Sequence, residues 1–115
     1  MTDSVWTGTI DAYRGRVGGS GAVPAGVSVS AVSASLALAL LAKVLDITGR
    51  RKSFNGDREL LARLIGSARE QSSLLTRLAD EDIAAFDHYR ECLRDGTGVA
   101  AAARKAIEIP LAAAR

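Results

Sequence analysis

The chain has 115 residues and a mass of 12.0 kDa, with 48% hydrophobic and 24% charged residues, a balance that fits one domain and excludes a disordered tail or a fibrous repeat. Its net charge of +2 comes from 15 basic against 13 acidic side chains, too even for a concentrated nucleic-acid-binding face, and an aromatic content of 4% is too low for a base-stacking platform. One cysteine, Cys92, and one histidine, His88, exclude an internal disulfide and leave a zinc site short of ligands, so no metal is expected.

In chain order, Thr7 to Arg14 reads as a short helix or turn, with Trp6, Ile10 and Tyr13 at helical spacing. Residues 15–27 read as a loop, because Gly15, Gly18, Gly19, Gly21, Pro24 and Gly26 crowd into it. A first long helix is predicted over about 28–46, apolar nearly all round and therefore central, with Gly49 suited to its C-terminal cap. Residues 22–42 carry no charge and are long enough to span a bilayer. Pro24, Gly26, four serines between Ser28 and Ser35, and Lys43 favour instead a buried helix in a soluble bundle. Asp3 and Asp11 precede this run and no basic segment does, so no signal peptide is expected; the expected location is cytoplasmic, with no membrane partner.

Asn55 and Gly56 mark a turn, and Asp57 can cap the next helix, predicted over about 58–94. Its seam runs Leu61, Ile65, Ala68, Ser72, Leu75, Ala79, Asp82, Phe86, Tyr89, Leu93, alternating steps of four and three as in an antiparallel bundle. Gly96 and Gly98 break it. A last helix follows over about 99–114, in which Pro110 should produce a kink. No period-two alternation is sustained, so the fold class is an all-α antiparallel helical bundle in a single domain, 1–115. So few helices cannot cover an all-apolar one, and self-association is expected to complete the core.

Asp82 occupies a seam position where leucine would be ordinary. An ionised carboxylate there needs a partner or a raised pKa, and a carboxyl titrating near neutrality is what a general acid or base requires. The alternative is that Asp82 pairs with an arginine or caps a neighbouring helix. Glu81 and Asp87 read as solvated charges, His88 as a surface residue, and Cys92 as a small, partly buried hydrophobe. The triplet Arg50-Arg51-Lys52 complements a helix C-terminus or holds an anionic ligand. The glycine-rich loop matches no phosphate-binding consensus.

Four stretches, in this order, resemble the cyclodeaminase/cyclohydrolase family: Val23-Pro24-Ala25-Gly26-Val27-Ser28-Val29-Ser30-Ala31, Thr48-Gly49-Arg50-Arg51-Lys52-Ser53-Phe54, Leu78-Ala79-Asp80-Glu81-Asp82-Ile83-Ala84-Ala85-Phe86, and Arg104-Lys105-Ala106-Ile107-Glu108-Ile109-Pro110-Leu111. This family comprises the folate-handling domain of formiminotransferase-cyclodeaminase and bacterial methenyltetrahydrofolate cyclohydrolase. The resemblance implies a helical homodimer that binds reduced folate as substrate in a groove at its interface, without a permanent cofactor. It implies that ammonia is expelled as a ring closes, or that the methenyl ring is opened by water. It places the important aspartate at Asp82, as general acid or base, with Asp80 as neighbour. It places ligand contacts at Pro24, Ala25, Gly26, Val27 and Ser28, at Arg50, Arg51, Lys52 and Phe54, and at Asp80 and Phe86.

Two features depart from the family pattern. Ala25 and Val27 stand where the family has bare glycine backbone, which points to a changed substrate, such as another cyclic amidine or imine in a ring-closing or ring-opening step of small-molecule biosynthesis. Family domains also continue past the Pro-Leu of the last helix, so a second copy or a separate chain is expected to supply the missing half. A third possibility is a non-catalytic helical partner subunit.

Overall fold

The structure is a computed structural model and describes residues 4–115. Four helices account for its regular structure: α1 (Ile10–Val17), α2 (Gly26–Arg50), α3 (Arg58–Asp95) and α4 (Val99–Ala114). No strand occurs among the described residues, and the all-α expectation holds.

Helix α3 is the spine. Its 38 residues rise about 57 Å at 1.5 Å each, which accounts for most of the molecule's 63 Å length. Helix α2 runs antiparallel along its first part: Ser35 meets Ser72, and Gly49 meets Leu61. Helix α4 folds back on its last part, where Leu78 and Ala85 pack with Ile109.

Local chemistry sets the ends. Thr9 accepts a hydrogen bond from the Ala12 N–H at 3.0 Å, so α1 starts later than the predicted Thr7. Asp57 caps α3 as expected, accepting from the Leu60 N–H at 3.0 Å. Gly96 ends α3 in the left-handed conformation (φ 73°), which favours glycine.

Gly49 was expected to cap α2, but it lies inside the helix, which continues to Arg50. A Cβ on Gly49 would stand 2.5 Å from Leu61 Cδ2. The glycine therefore serves the close approach of α2 to α3. The exposed carbonyl of Gly49 is satisfied by Arg58, whose Nη1 donates to it at 2.7 Å while its guanidinium lies over the Phe54 ring.

The core is made of small residues. Ala31, Ala42, Ala68, Ala79, Ala85 and Ala102 are buried, with Leu78, Ile83, Cys92 and Ile109. Ser35 Oγ lies within 3.1 Å of both the Ser72 and Thr76 hydroxyls, and Ser72 Oγ donates to the Ser35 carbonyl at 2.8 Å. These bonds pin the register of α2 on α3, and no fully buried side-chain polar atom lacks a partner among the described residues.

The predicted seam holds from Leu61 through Asp82 and then fails. Phe86 and Leu93 are 37% and 52% exposed, while Ala85 and Cys92 are buried in their place. Near Asp82, α3 passes the start of α2 and meets α4 from another side, so the buried stripe rotates. A spacing pattern records one neighbour and cannot register a change of neighbour.

Helix α2 is long and apolar enough to cross a membrane by length and composition. It also carries Lys43 and Asp46 and bonds α3 through its serines. Five of its large side chains are exposed, Leu36, Leu40, Leu41, Val44 and Ile47, while Leu38 and Leu45 are half-buried.

Candidate functional site

The site residues expected from the sequence fall into two groups, at opposite ends of α2. The first group surrounds the start of α2. Pro24 and Ser28 are buried, Val27 is half-buried, and Ala25 and Gly26 are exposed. Gly26 and Val27 line a cavity of about 290 Å³ together with Ser30, Ala31 and Ala34 of α2, Leu75 of α3, and Pro110, Ala113 and Ala114 of α4. The cavity exists because α2 presents Gly26, Ser30 and Ala34 at four-residue spacing, a groove of small side chains facing the end of α4.

Asp82 lies seven residues beyond Leu75, on the same face of α3 and about 10 Å further along the helix axis. Its carboxyl is half-buried, and burial alone pushes it above the ordinary carboxylate range. No arginine pairs with it among the described residues. The alternative of a structural ion pair is thus not what the fold provides. An unpaired carboxyl with a raised pKa can hold a proton or accept one, which is the requirement for acid–base chemistry.

Asp80 has different surroundings. Its Oδ2 accepts from Ser4 Oγ at 2.5 Å, and its Oδ1 accepts from the Val5 N–H at 2.8 Å. Both oxygens are engaged by the N-terminal segment. Phe86 stacks at a tilt with Tyr89, ring centroids 6.3 Å apart, one turn beyond Asp82.

The second group is the basic turn. Arg50 pairs with Asp46 at 3.1 Å, while Arg51 and Lys52 are exposed on the turn leading to Phe54. From Gly26 to Arg50 the helix rises about 36 Å. The fold of one chain does not bring the basic turn to Asp82.

Residues that sequence reading missed include Ser30, Leu75 and Pro110 in the cavity wall, and Tyr13, whose hydroxyl lies 2.9 Å from Ser28 Oγ. The small-residue spacing of Gly26, Ser30 and Ala34 was a legible signal for the wall; the Tyr13 bond had none. A second groove between α3 and α4, about 400 Å³, gathers Glu81, His88, Lys105 and Glu108. His88 Nε2 stands 3.6 Å from the buried Cys92 Sγ. No metal-binding cluster occurs among the described residues.

No curated protein and no solved structure matches the chain. The sequence model of the family described as Formiminotransferase-cyclodeaminase matches residues 9–115, which spans all four helices. The chain belongs to the formiminotransferase-cyclodeaminase family.

Proposed function

We propose that the chain is a cyclodeaminase/cyclohydrolase-type enzyme acting on a C–N bond of a folate-like cyclic amidine or imine, with Asp82 as its general acid and base. The observation that carries this is the unpaired, half-buried Asp82 on the cavity-bearing face of α3, in a chain of this family. In the hydrolytic direction, water adds to the amidinium carbon and gives its proton to the Asp82 carboxylate. The acid form then returns the proton to the ring nitrogen as the C–N bond breaks, and the adduct's hydroxyl loses its proton to solvent, leaving a formyl group. In the deaminating direction, the same acid protonates the departing amine, which leaves as ammonia as the ring closes. No resident cofactor is needed; the reduced folate enters as substrate.

A second copy would complete the site. Leu36, Leu40, Val44 and Ile47 form one exposed stripe on α2, on the side away from Ser28, Ala31, Ser35 and Ala42. Two-fold antiparallel pairing of this stripe about Leu40 sets Arg50 of one copy opposite Ser30 of the other. Arg50, Arg51 and Lys52 would then meet the far end of a ligand seated near Asp82, as carboxylate partners for a glutamate-like tail.

One observation favours a substrate smaller than folate. Val27 puts a side chain into the cavity wall, and about 290 Å³ is at the low edge of small-molecule pockets. In that case the chemistry and Asp82 stay, and the cyclic substrate changes. The test is the absorbance decay of methenyltetrahydrofolate with wild-type protein and with Asp82→Ala. Decay accelerated by wild type alone supports the folate reaction. No acceleration by a folded dimer rejects folate as substrate. Equal acceleration by both rejects Asp82 as the catalyst.

A further inference from the structure

We propose that residues 4–17 form a strap that unlatches from the bundle as a unit, with Asp80 as its latch and as a positioning residue for the first turn of α2. The strap is tied by polar contacts and by partly buried side chains. Besides the two bonds to Asp80, Trp6 Nε1 donates to the Thr76 carbonyl at 2.8 Å. Helix α1 buries no residue, and Ile10 is 80% exposed. Trp6 and Val17 are 37% exposed and Val5 and Tyr13 half-buried, so the strap covers some apolar area but contributes no fully buried side chain from α1. Segments held this way open at lower free energy than a packed core. The Asp80 bonds are the strongest of the set, because an ionised acceptor strengthens a hydrogen bond and one carboxylate here holds two donors.

The far end of the strap reaches the cavity. The bond between Tyr13 and the fully buried Ser28 ties α1 to the first turn of α2. That turn has no side-chain cap of its own, since Ala25 occupies the N-cap position. Gly26 and Val27, which line the cavity, lie immediately before Ser28. Asp80 therefore acts on the cavity wall through the strap and touches no ligand itself. The effect on ligand binding rests on the site proposed above; the latch does not.

Trp6 is the chain's single tryptophan, so its emission reports the strap directly. In the full chain, Asp80→Ala should shift Trp6 emission to the red and speed amide exchange in residues 4–17 roughly tenfold. Exchange in the first turn of α2 should rise with it, while the middle of α2 and α3 keeps its protection. Tyr13→Phe should loosen the first turn of α2 and leave Trp6 emission unchanged. With methenyltetrahydrofolate as the probe, Ser4→Ala, on the strap side of the same bond, should raise KM and leave kcat nearly unchanged. Should Asp80→Ala not fold, Ser4→Ala carries the same expectation at smaller size. Unchanged Trp6 emission and exchange in these variants would overturn the latch. Loss of protection throughout α2 and α3 would overturn it as well, by making Asp80 a general stabiliser. Because emission and exchange need no substrate, they decide the latch whether or not the folate is turned over.

Discussion

The two faces of α2 are built to opposite rules. Toward α3 it presents Ser28, Ala31, Ser35, Ala42 and the bare Gly49; away from α3 it presents Leu36, Leu40, Val44 and Ile47. Small side chains on the inner face let two backbones close together and let hydroxyl bonds fix their register. Large side chains on the outer face supply the apolar area that a single chain leaves in water. A soluble helix ordinarily shows the reverse arrangement. The difference teaches that the hydrophobic driving force of this sequence is only partly spent within one chain, and the proposed second copy is where the rest would go.

The outer face gives the largest expected effect. Leu40→Asp puts a charge at the proposed two-fold axis, so two copies meet there. We expect association weaker by on the order of 10³-fold, measured by sedimentation, from several kcal/mol of unpaired charge burial. Helix content should be unchanged, because Leu40 is 60% exposed within the chain. Wild-type protein that sediments as a monomer at high concentration would break the comparison outright.

The inner face is sharpened by adding volume. Ala79 is 0% exposed, and Ala79→Leu should cost about 1–3 kcal/mol in thermal or denaturant unfolding. A neutral result would mean that α2 and α3 are less closely packed than their small residues indicate. Ser35→Ala is a milder probe. It removes the hydroxyl shared with Ser72 and Thr76, yet Ser72 keeps its bond to the Ser35 carbonyl and Thr76 keeps the Ser72 carbonyl. We expect a loss of about 1 kcal/mol by the same measurement.

Much of this architecture was legible in the sequence, and the exceptions have physical causes. Asp57 and Gly96 marked the ends of α3 because capping is local chemistry. Gly49 was misread because a cap and a close helix contact both select glycine, and only the neighbouring Leu61 distinguishes them. The seam beyond Asp82 was misread because α3 changes partner there. Asp82 stood out as a carboxyl in an apolar pattern, and the structure leaves it half-buried. Asp80 was read as a neighbour of Asp82, and its own partners, Ser4 and Val5, lie more than 70 residues off in sequence. Contacts at that separation leave no periodic trace.

Asp82 also carries a pH signature. Burial raises its folded pKa above that of the unfolded chain. The folded state therefore binds more protons between the two values. Stability tied to this group is fully present below the unfolded pKa and is lost as pH rises through the folded one. Asp82→Asn, which cannot ionise, should melt higher than wild type at neutral pH and lose that advantage in acid.

The most direct measurement pairs that melting curve with methenyltetrahydrofolate turnover for wild type and Asp82→Asn. The account predicts a variant that is at least as stable at neutral pH and about 10²–10⁴-fold slower. A variant that turns over the folate as fast as wild type, or one that loses stability and turnover together, would contradict it.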